Sequence, residues 1–394
     1  MVVILNELKN PLGHGQPHRS GSFVSLRMTK RTPINWPLCA EKLAAAFPRD
    51  RLHPAVLAWV EARPRREPWA VAFSGGADSL ALLLLLWAHW PEQRGRLRAL
   101  HFNHKLRGRA ADADQKFCRG VCAALGVKFV AGEWTKVGRA LRPTRRGVGR
   151  KARPTTVSEA EARTARMEFF EKALRAARCR VLWLGHQMDD VAETLLMRLA
   201  RGSGAGGLSA PRPVQLMPGG RVRLRPLLTV HKTQLVAALR AAGAAWREDA
   251  SNARPDFFRN RIRRDVLPRW RAAEPGRDAL AGAALTRELL AEDDVALEAW
   301  LDEVQPFTAG GALDVGRLAG KPRALVRRAL RRWMGAQRGA GELSRQGFEA
   351  LLAAVQRGQP ARHSLGAQGF AVIRQGRLVY DRRKLPDKKA RRPN

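Results

Sequence analysis

Acidic residues are scarce in this chain of 394 residues. Only 35 Asp and Glu stand against 72 Lys and Arg, which gives a formal net charge of +37. Such an excess destabilises a compact state through self-repulsion and favours polyanionic partners, above all nucleic acid. A GC-rich genome that uses Arg freely contributes to the count, but codon bias alone does not explain a two-to-one imbalance. We therefore expect a nucleic-acid partner.

Cysteines and long apolar runs are scarce too. The four cysteines, Cys39, Cys118, Cys122 and Cys179, are too few and too irregularly spaced for a disulfide framework. None forms a C-x-x-C pair, which argues against a structural zinc or iron–sulfur site. The longest apolar run, Leu80–Ala88, has nine residues and is too short to cross a bilayer. No signal peptide is recognised at the N-terminus. These absences indicate a soluble, cytoplasmic protein with no membrane partner.

Short apolar strands alternate with helices from residue 69 onward. The predicted strands are Trp69–Phe73, Arg98–Phe102, Val127–Val130 and Arg180–Leu184, and the predicted helices are Leu80–Trp90, Ala111–Leu125 and Asp189–Ala200. This alternation predicts an α/β fold with a parallel, doubly wound sheet covered on both faces. Ligands of such sheets bind outside the carboxyl ends of the strands. The loops after Phe73 and Leu184 are therefore the candidate site.

The pattern changes to helices after Arg225, and the chain ends in a small α+β region. The predicted helices are His231–Ala242, Arg261–Trp270, Asp278–Val304, Pro322–Met334 and Arg345–Arg357, followed by the strands Phe370–Arg374 and Arg377–Tyr380. The predicted organisation is a poorly ordered extension (1–50), a catalytic domain (51–228), a helical region (229–310), a small C-terminal domain (311–385) and a basic tail (386–394).

Two segments concentrate the basic charge. Residues 135–158 hold eight Lys or Arg and no acid, and we interpret them as a flexible insertion that is either a solvated loop or an RNA contact. In Pro322–Met334 an apolar stripe at helical spacing predicts a core face. Five arginines occupy the other side of that helix, which is either solvated or an RNA surface, and we slightly favour the RNA surface.

The sharpest motif is Ser74–Ser79, with the sequence SGGADS between a predicted strand and a predicted helix. Its glycines let the backbone pass close to phosphate oxygens, and the serine hydroxyls and the helix N-terminus supply donors. No Lys follows the glycines, so the motif differs from the loop used for γ-phosphate transfer. Asp78 sits among these donors, which makes sense if it holds Mg²⁺ for a departing pyrophosphate. The motif therefore predicts adenylation by ATP.

Two further strand ends carry polar loops. Gly185–Asp190 opens a helix, where Asp190 offers a second carboxylate for magnesium and one of Asp189 and Asp190 suits a capping role. His186 could assist proton transfer or neutralise the α-phosphate, although a lone histidine is more often a polar core residue. His101–Arg107 follows the second strand. Three strand ends with polar loops are what a nucleotide crevice requires.

These motifs together resemble the tRNA(Ile)-lysidine synthetase family of the pyrophosphatase-loop (PP-loop) ATPase superfamily, whose fold is adenine nucleotide alpha hydrolase-like. The matching pieces are Ser74–Ser79, His101–Arg107 with Asp112 and Asp114, Glu159–Arg166, Gly185–Arg198, Arg201–Gly204, Arg225–Leu228 and Glu248–Pro268. They follow the family's order over about residues 69–270. One motif alone would indicate only the superfamily, whereas the ordered set indicates the family.

The resemblance implies a two-step reaction on tRNA(Ile) with a CAU anticodon. ATP adenylates the C2 carbonyl oxygen of the wobble cytidine, the amine of free L-lysine attacks C2, and AMP leaves. The lysidine that forms pairs with AUA, so that the tRNA is charged with isoleucine instead of methionine. The implied ligands are ATP, Mg²⁺, lysine and this tRNA. The oligomeric state is open, with a homodimer among the alternatives.

The resemblance also implies roles for residues. The catalytic residues would be Asp78, Asp190, His186, Arg163 and Arg166, with Asp78 and Asp190 serving magnesium and the two arginines serving lysine or phosphate. The ATP site would comprise Ser74, Gly75, Gly76, Ala77, Asp78, Ser79, His101 and Asn103. The tRNA contacts would be Arg107, Arg201, Arg259, Asn260, Arg261 and Arg263, together with regions 229–310 and 311–385. Met167 departs from the family, which usually has an aromatic residue there, and the basic insertion is unusual.

Three other functions are weighed against this one. An RNA base thiolase of the same superfamily generally needs paired cysteines, and the chain has no C-x-x-C. A ligase that uses ammonia or glutamine on a nucleotide would not need so large a positive charge. A non-enzymatic RNA-binding protein with a decayed loop conflicts with the presence of Asp78, Asp190 and His186.

Overall fold

The structure is a computed structural model that describes seven stretches of the chain. They are residues 33–63, 67–105, 108–134, 159–248, 258–337, 343–365 and 369–382. The predicted basic insertion (135–158) and the basic tail (386–394) lie outside the described residues. None of the described helices combines the length and the apolarity that a membrane span requires.

The described elements follow the predicted alternation and add several that were not predicted. The helices are α1 (Trp36–Ala46), α2 (Pro54–Glu61), α3 (Ala77–His89), α4 (Arg109–Ala124), α5 (Glu159–Ala176), α6 (Met188–Leu199), α7 (Ala205–Leu208), α8 (Lys232–Ala241), α9 (Phe258–Arg261), α10 (Leu267–Ala273), α11 (Ala279–Val304), α12 (Arg323–Ala336) and α13 (Arg345–Arg357). The strands are β1 (Trp69–Ala72), β2 (Leu97–Asn103), β3 (Lys128–Glu133), β4 (Val181–Trp183), β5 (Val214–Met217), β6 (Arg221–Leu224), β7 (Leu313–Asp314), β8 (Ala361–Ser364), β9 (Gly369–Arg374) and β10 (Arg377–Arg382). A π-helical turn, Ile262–Val266, connects α9 to α10.

The larger sheet has six strands in the order β3-β2-β1-β4-β6-β5. β1 pairs in parallel with β2 and β4, and β4 pairs in parallel with β6. The predicted α/β fold with a parallel sheet is thereby confirmed. The edge strand β5 is antiparallel to β6 and was not predicted. Both strands have only four residues, and β6 carries arginines at alternate positions. The sequence signal for these two strands is therefore weak.

The helix α3 lies at the centre of this part of the protein. Its residues from Leu80 to Leu86 are all buried. A helix that is apolar on every side must be covered on every side, and α3 packs against β1, α1 and α8. This packing holds the N-terminus of α3 at the carboxyl end of β1.

Residues 36–46 correct the prediction of a poorly ordered extension over residues 1–50. They form α1, whose Asn35 cap accepts a hydrogen bond from the Leu38 backbone N–H at 3.1 Å. The buried face of α1 includes Trp36 and Leu43 and packs against α3. This buried face is short and rich in alanine, so the helical periodicity of its sequence is weak.

The smaller sheet is antiparallel, with strand order β7-β10-β9-β8. It shares a core with α12 and α13 in which Trp333, Leu351 and Leu378 are buried. Leu301, near the end of α11, belongs to the same core. The predicted small α+β region is thereby confirmed, and α11 runs from the helical part of the molecule into it.

Candidate active site

The loop Ser74–Ser79 joins the end of β1 to the first turn of α3 and is braced by its own hydroxyls. Ser79 Oγ accepts a hydrogen bond from the Ser74 backbone N–H at 3.2 Å and donates to the Gly76 carbonyl at 3.0 Å. Ser74 Oγ lies 3.1 Å from Ser79 Oγ. Gly75 has φ +90°, a conformation that favours glycine. The loop is therefore held in one shape before any phosphate reaches it.

Two glycines let neighbouring segments approach this loop. A Cβ on Gly185 would lie 2.8 Å from the Asp78 carbonyl oxygen and 3.2 Å from the Ser79 backbone nitrogen. A Cβ on Gly75 would lie 2.9 Å from Cys118 Sγ on α4. The loop after β4 thus packs directly on the first turn of α3, as the adjacent strand ends predict.

Asp78 faces into the site with one oxygen unused. Its Oδ1 is buried and has no hydrogen-bond partner among the described residues. Lys232 Nζ, from the first turn of α8, lies 3.8 Å from Asp78 Oδ2. Burial raises the pKa of Asp78 to about 6; nearby Lys232 opposes this rise and Asp190 adds to it. Asp78 is therefore an anion at pH 7 whose Oδ1 is not engaged by another described residue.

Two arginines from the segment after residue 258 bind the carboxylates of α6. Arg259 Nη2 lies 2.5 Å from Asp190 Oδ1, and Arg259 Nε lies 2.6 Å from Glu193 Oε2. Arg263 Nε lies 2.6 Å from Glu193 Oε1. The Glu193 side chain is fully buried, so these pairs are shielded from solvent. Arg259 and Arg263 were predicted as tRNA contacts, and in this structure their guanidinium groups bind carboxylates.

The residues around Asp78 fit the predicted magnesium ion only in part. The unused Oδ1 of Asp78 is suited to a cation, and Mg²⁺ commonly takes one or two carboxylates together with substrate phosphates. Both oxygens of Asp190 are engaged, because Oδ2 accepts from the Gln187 N–H at 3.0 Å and Oδ1 binds Arg259. Within the described residues, no group of three His, Cys, Asp or Glu could hold a metal. Asp190 could serve magnesium only if Arg259 released it.

Arg225, at the end of β6, is a buried cation that links three segments. It is 6% exposed. Its Nε donates to His186 Nδ1 at 3.1 Å, its Nη1 to the Arg212 carbonyl at 2.7 Å and its Nη2 to Gln215 Oε1 at 2.9 Å. None of these three partners is a carboxylate, and burial lowers the pKa of Arg225 to about 10. Arg225 therefore keeps its charge and offers it to an anion.

His186 follows β4 and lies among arginines. Burial, then Arg225, then Arg259, Arg163 and Arg166, lower the pKa of His186 well below its usual value. Because Nδ1 accepts from Arg225, the ring proton sits on Nε2. Of the two predicted roles, this environment favours a neutral proton donor over a cation that neutralises phosphate. Arg163 and Arg166, on α5, are thus near enough to His186 to lower its pKa.

His101 and Asn103 lie at the end of β2 and are both buried. His101 Nδ1 donates to the Phe73 carbonyl at 2.9 Å. Asn103 Nδ2 donates to Asp112 Oδ1 at 3.1 Å, and its Oδ1 accepts from the Lys105 N–H at 2.8 Å. Asn103 therefore braces the turn between β2 and α4 instead of presenting its amide to a ligand.

The other predicted tRNA contacts are more scattered. Arg201 is exposed just beyond the end of α6, and Arg261 is exposed on α9 with its guanidinium 5.8 Å from the Phe258 ring. Asn260 is half-buried on the same helix. Arg107 lies outside the described residues. The role of these residues in binding tRNA stays a prediction.

Sequence reasoning missed Gln187 and Lys232 and gave Arg225 no role of its own. Gln187 caps α6 reciprocally with Asp190, and the Gln-x-x-Asp spacing is a signal that could have revealed it. Arg225 lies in one of the matched motifs. For Lys232 no local pattern exists, because the sheet order alone brings α8 to Asp78.

Comparison with known proteins agrees with this geometry. Residues 52–270 match the family described as the PP-loop domain. A protein named tRNA(Ile)-lysidine synthase from Geobacter sulfurreducens is 39% identical to this chain, over 71% of this chain and 56% of the relative. A protein of the same name in Xanthomonas campestris pv. campestris is 36% identical, over 79% of this chain and 67% of the relative.

The relatives are longer than this chain, which spans 56%, 58% and 45% of the length of three of them. Among solved structures, the U34-tRNA thiolase NcsA from Methanococcus maripaludis superposes with a TM-score of 0.45 at 19% identity, covering 64% of this chain and 78% of that chain. So low a similarity says nothing about chemistry. The family match covers more than half of the chain, with the Ser74–Ser79 loop inside it. The chain belongs to the PP-loop domain family, among relatives that carry the name tRNA(Ile)-lysidine synthase.

Proposed function

We propose that this protein ligates lysine to C2 of the wobble cytidine in tRNA(Ile) with a CAU anticodon, and that it releases AMP and diphosphate. The observation that carries the proposal is the Ser74–Ser79 loop with the half-buried Asp78 beside Lys232, in a chain whose relatives carry that name. Such a modification would take place in the cytoplasm, where tRNA is matured.

The first step needs a held triphosphate and a polarised base. The braced loop and the N-terminus of α3 supply donors to the phosphates. The C2 carbonyl oxygen of cytidine attacks the α-phosphorus, the bond to diphosphate breaks, and diphosphate leaves with the electron pair. Asp78 would hold Mg²⁺, whose positive charge would favour that departure. Arg225 and His186 would bind the phosphoryl oxygens as cation and neutral donor.

The second step needs an uncharged amine next to an activated carbon. The lysine nitrogen attacks C2, the C2–O bond breaks, and AMP leaves with the oxygen; the amine loses its proton to a base. Asp78, in the loop itself, has a pKa of about 6. A base whose pKa lies near the working pH suits this transfer.

The thiolase alternative finds no support in the cysteines. All four are buried free thiols. Burial raises the pKa of each thiol, which keeps it protonated and unreactive.

The deciding experiment supplies the full chain with ATP, Mg²⁺ and radiolabelled lysine. Label should enter tRNA(Ile) with a CAU anticodon, with AMP and diphosphate as the nucleotide products. A tRNA(Met) that shares the CAU anticodon tests recognition outside the anticodon, and tRNA-free reactions give the background. Label that stays out of the RNA, or ADP as the tRNA-dependent product, would rule the proposal out.

A further inference from the structure

A buried carboxylate that the proposed reaction does not use lies in the middle of α11. Asp294 is 6% exposed although it stands on a helix whose neighbouring residues Asp293 and Val295 are exposed. A carboxylate removed from water is costly unless it is paired. What pairs with Asp294 therefore shows why it is there.

Asp294 binds one arginine from each side of α11. Its Oδ2 accepts from Arg212 Nη2, in the segment before β5. Its Oδ1 accepts from Arg328 Nη2 at 2.5 Å, on α12 of the C-terminal part. A Cβ on Gly206 would lie 2.6 Å from Asp294 Oδ1, so α7 also packs closely against this carboxylate. One side chain thus joins three segments.

The arginine on the catalytic side continues towards the site. Arg212 Nη2 also donates to Ser209 Oγ at 3.2 Å, so the same nitrogen that binds Asp294 is held by a second partner. The Arg212 carbonyl accepts from Arg225 Nη1 at 2.7 Å, and the Arg225 backbone N–H donates to the Pro213 carbonyl at 2.9 Å. A shift of the Arg212–Pro213 segment would therefore move the guanidinium of Arg225.

We propose that Asp294 is a positioning residue of the active site, which sets Arg225 and His186 through Arg212 and couples them to α12. A movement of α12 that displaces Arg328 from Asp294, for example on RNA binding, would reach His186 through this chain of contacts. The chain crosses 82 sequence positions from Arg212 to Asp294 and 39 from Arg225 to His186. That His186 belongs to an active site rests on the proposed function.

The same interface offers matched controls. Glu298 binds Arg328 Nη1 at 2.6 Å, and Asp302 binds Arg332, so both join α11 to α12. Their side chains are 42% and 61% exposed, and neither binds Arg212. Glu298→Gln with Asp302→Asn therefore weakens the α11–α12 contact and leaves the Arg212 anchor intact.

The experiment compares Asp294→Asn, Arg212→Gln and the double control with the unchanged chain. The first readout is the histidine-labelled ¹H–¹⁵N spectrum, with the His186 signal assigned by its loss in His186→Gln. We expect Asp294→Asn and Arg212→Gln to shift the His186 Nδ1 signal in the same direction, because Arg225 no longer donates squarely to it. The double control should leave that signal in place.

The second readout is lysine incorporation into tRNA. Misplacement of groups by about 1 Å costs as much as about 100-fold in rate, so we expect kcat of Asp294→Asn and Arg212→Gln to fall by about 10- to 100-fold while KM for ATP changes little. The double control should keep kcat within about twofold. An equal fall in the double control would overturn the proposal, since the effect would then come from docking of α12 alone.

The spectrum separates this proposal from the proposed function. If the unchanged chain makes no lysidine, yet both variants shift His186, the function fails and the positioning role stands. If His186 keeps its signal in Arg212→Gln, the positioning role is refuted whatever the activity. Should Asp294→Asn fail to fold, Arg212→Gln decides alone, because the Arg212 side chain is 32% exposed and its loss is the milder change.

Discussion

Lys232 Nζ lies 3.8 Å from Asp78 Oδ2, so the first residue of α8 meets the first turn of α3. An acid at a helix N-terminus is favourable, whereas a lysine there opposes the helix dipole and costs about 0.3–1 kcal/mol. The backbone N–H of Lys232 offsets this by donating to Asp189 Oδ2 at 3.1 Å. The pair thus ties α8 to both acidic loops of the site.

Replacement of Lys232 should change the pH dependence of the reaction. Lys232 lowers the pKa of Asp78 against the effect of burial. In Lys232→Met the carboxyl of Asp78 should therefore stay protonated to higher pH. The acidic limb of the pH profile of AMP formation should move towards alkaline pH as a result. Lys232→Arg keeps the charge and serves as the control. An unchanged limb in Lys232→Met would show that Asp78 does not control that limb.

The ionisation of Asp78 should lower the free energy of unfolding of the protein as pH rises. The unfolded chain releases the Asp78 proton near pH 3.8, whereas the folded protein keeps it to about pH 6. Between these values the unfolded state binds fewer protons, so stability falls with increasing pH. The difference corresponds to about 3 kcal/mol, which the partial exposure of Asp78 reduces to about 1–2 kcal/mol.

The variant Asp78→Asn removes this cost and should abolish modification as well. Urea unfolding at pH 5 and pH 7.5 measures the first effect, and AMP formation measures the second. We expect the variant to be more stable than the unchanged chain, by a larger margin at pH 7.5. Modification at the unchanged rate would exclude Asp78 from the reaction.

Loss of the buried charge of Glu193 should destabilise the fold. Glu193→Gln leaves Arg259 and Arg263 without their shielded partner, and breaking a buried pair costs about 3–5 kcal/mol. Asp265→Asn is the matched control, because its pair with Arg264 is exposed and its loss should leave the urea midpoint unchanged. Equal midpoints for both variants would mean that the Glu193 pairs do not hold α9 to α6.

Gly75 should tolerate no side chain. Gly75→Ala combines the strain of a positive φ, about 1–2 kcal/mol, with a contact at 2.9 Å to Cys118 Sγ. Gly126→Ala has φ +66° and no neighbour within 4 Å, so it tests strain alone. Calorimetric ATP titration should show binding weakened by at least about tenfold in Gly75→Ala only. ATP binding by Gly75→Ala at the unchanged affinity would contradict the role of the loop.

The arginine face of α12 should contribute to RNA binding through a minority of its residues. Arg323, Arg328 and Arg332 are paired with acids in this structure. Arg327→Gln with Arg331→Gln should therefore flatten the salt dependence of tRNA affinity more than Arg323→Gln with Arg332→Gln. Each lost phosphate contact changes the log–log slope by about 0.7–0.9. If both double variants show the same salt dependence of tRNA affinity, this face of α12 is solvated and does not bind RNA.

The α/β class, the place of the ATP loop and the approximate bounds of most helices could be predicted from the sequence. These features are local, because the strand and helix periods and the glycines of Ser74–Ser79 are visible within a few residues. Two weakly patterned elements were not predicted: α1 is short and rich in alanine, and β6 alternates arginine with apolar residues.

Which charged side chains meet could not be predicted from the sequence, because it depends on the folded arrangement of the strands. The strand order β2-β1-β4-β6 puts the loops after β1, β4 and β6 side by side, and that order is a property of the whole sheet. Burial then sets the chemistry: it raises the pKa of Asp78, keeps His186 neutral and lowers the pKa of Arg225. Desolvation depends on everything packed around a group, and residues 39 or 82 positions apart carry no mark of each other in the sequence.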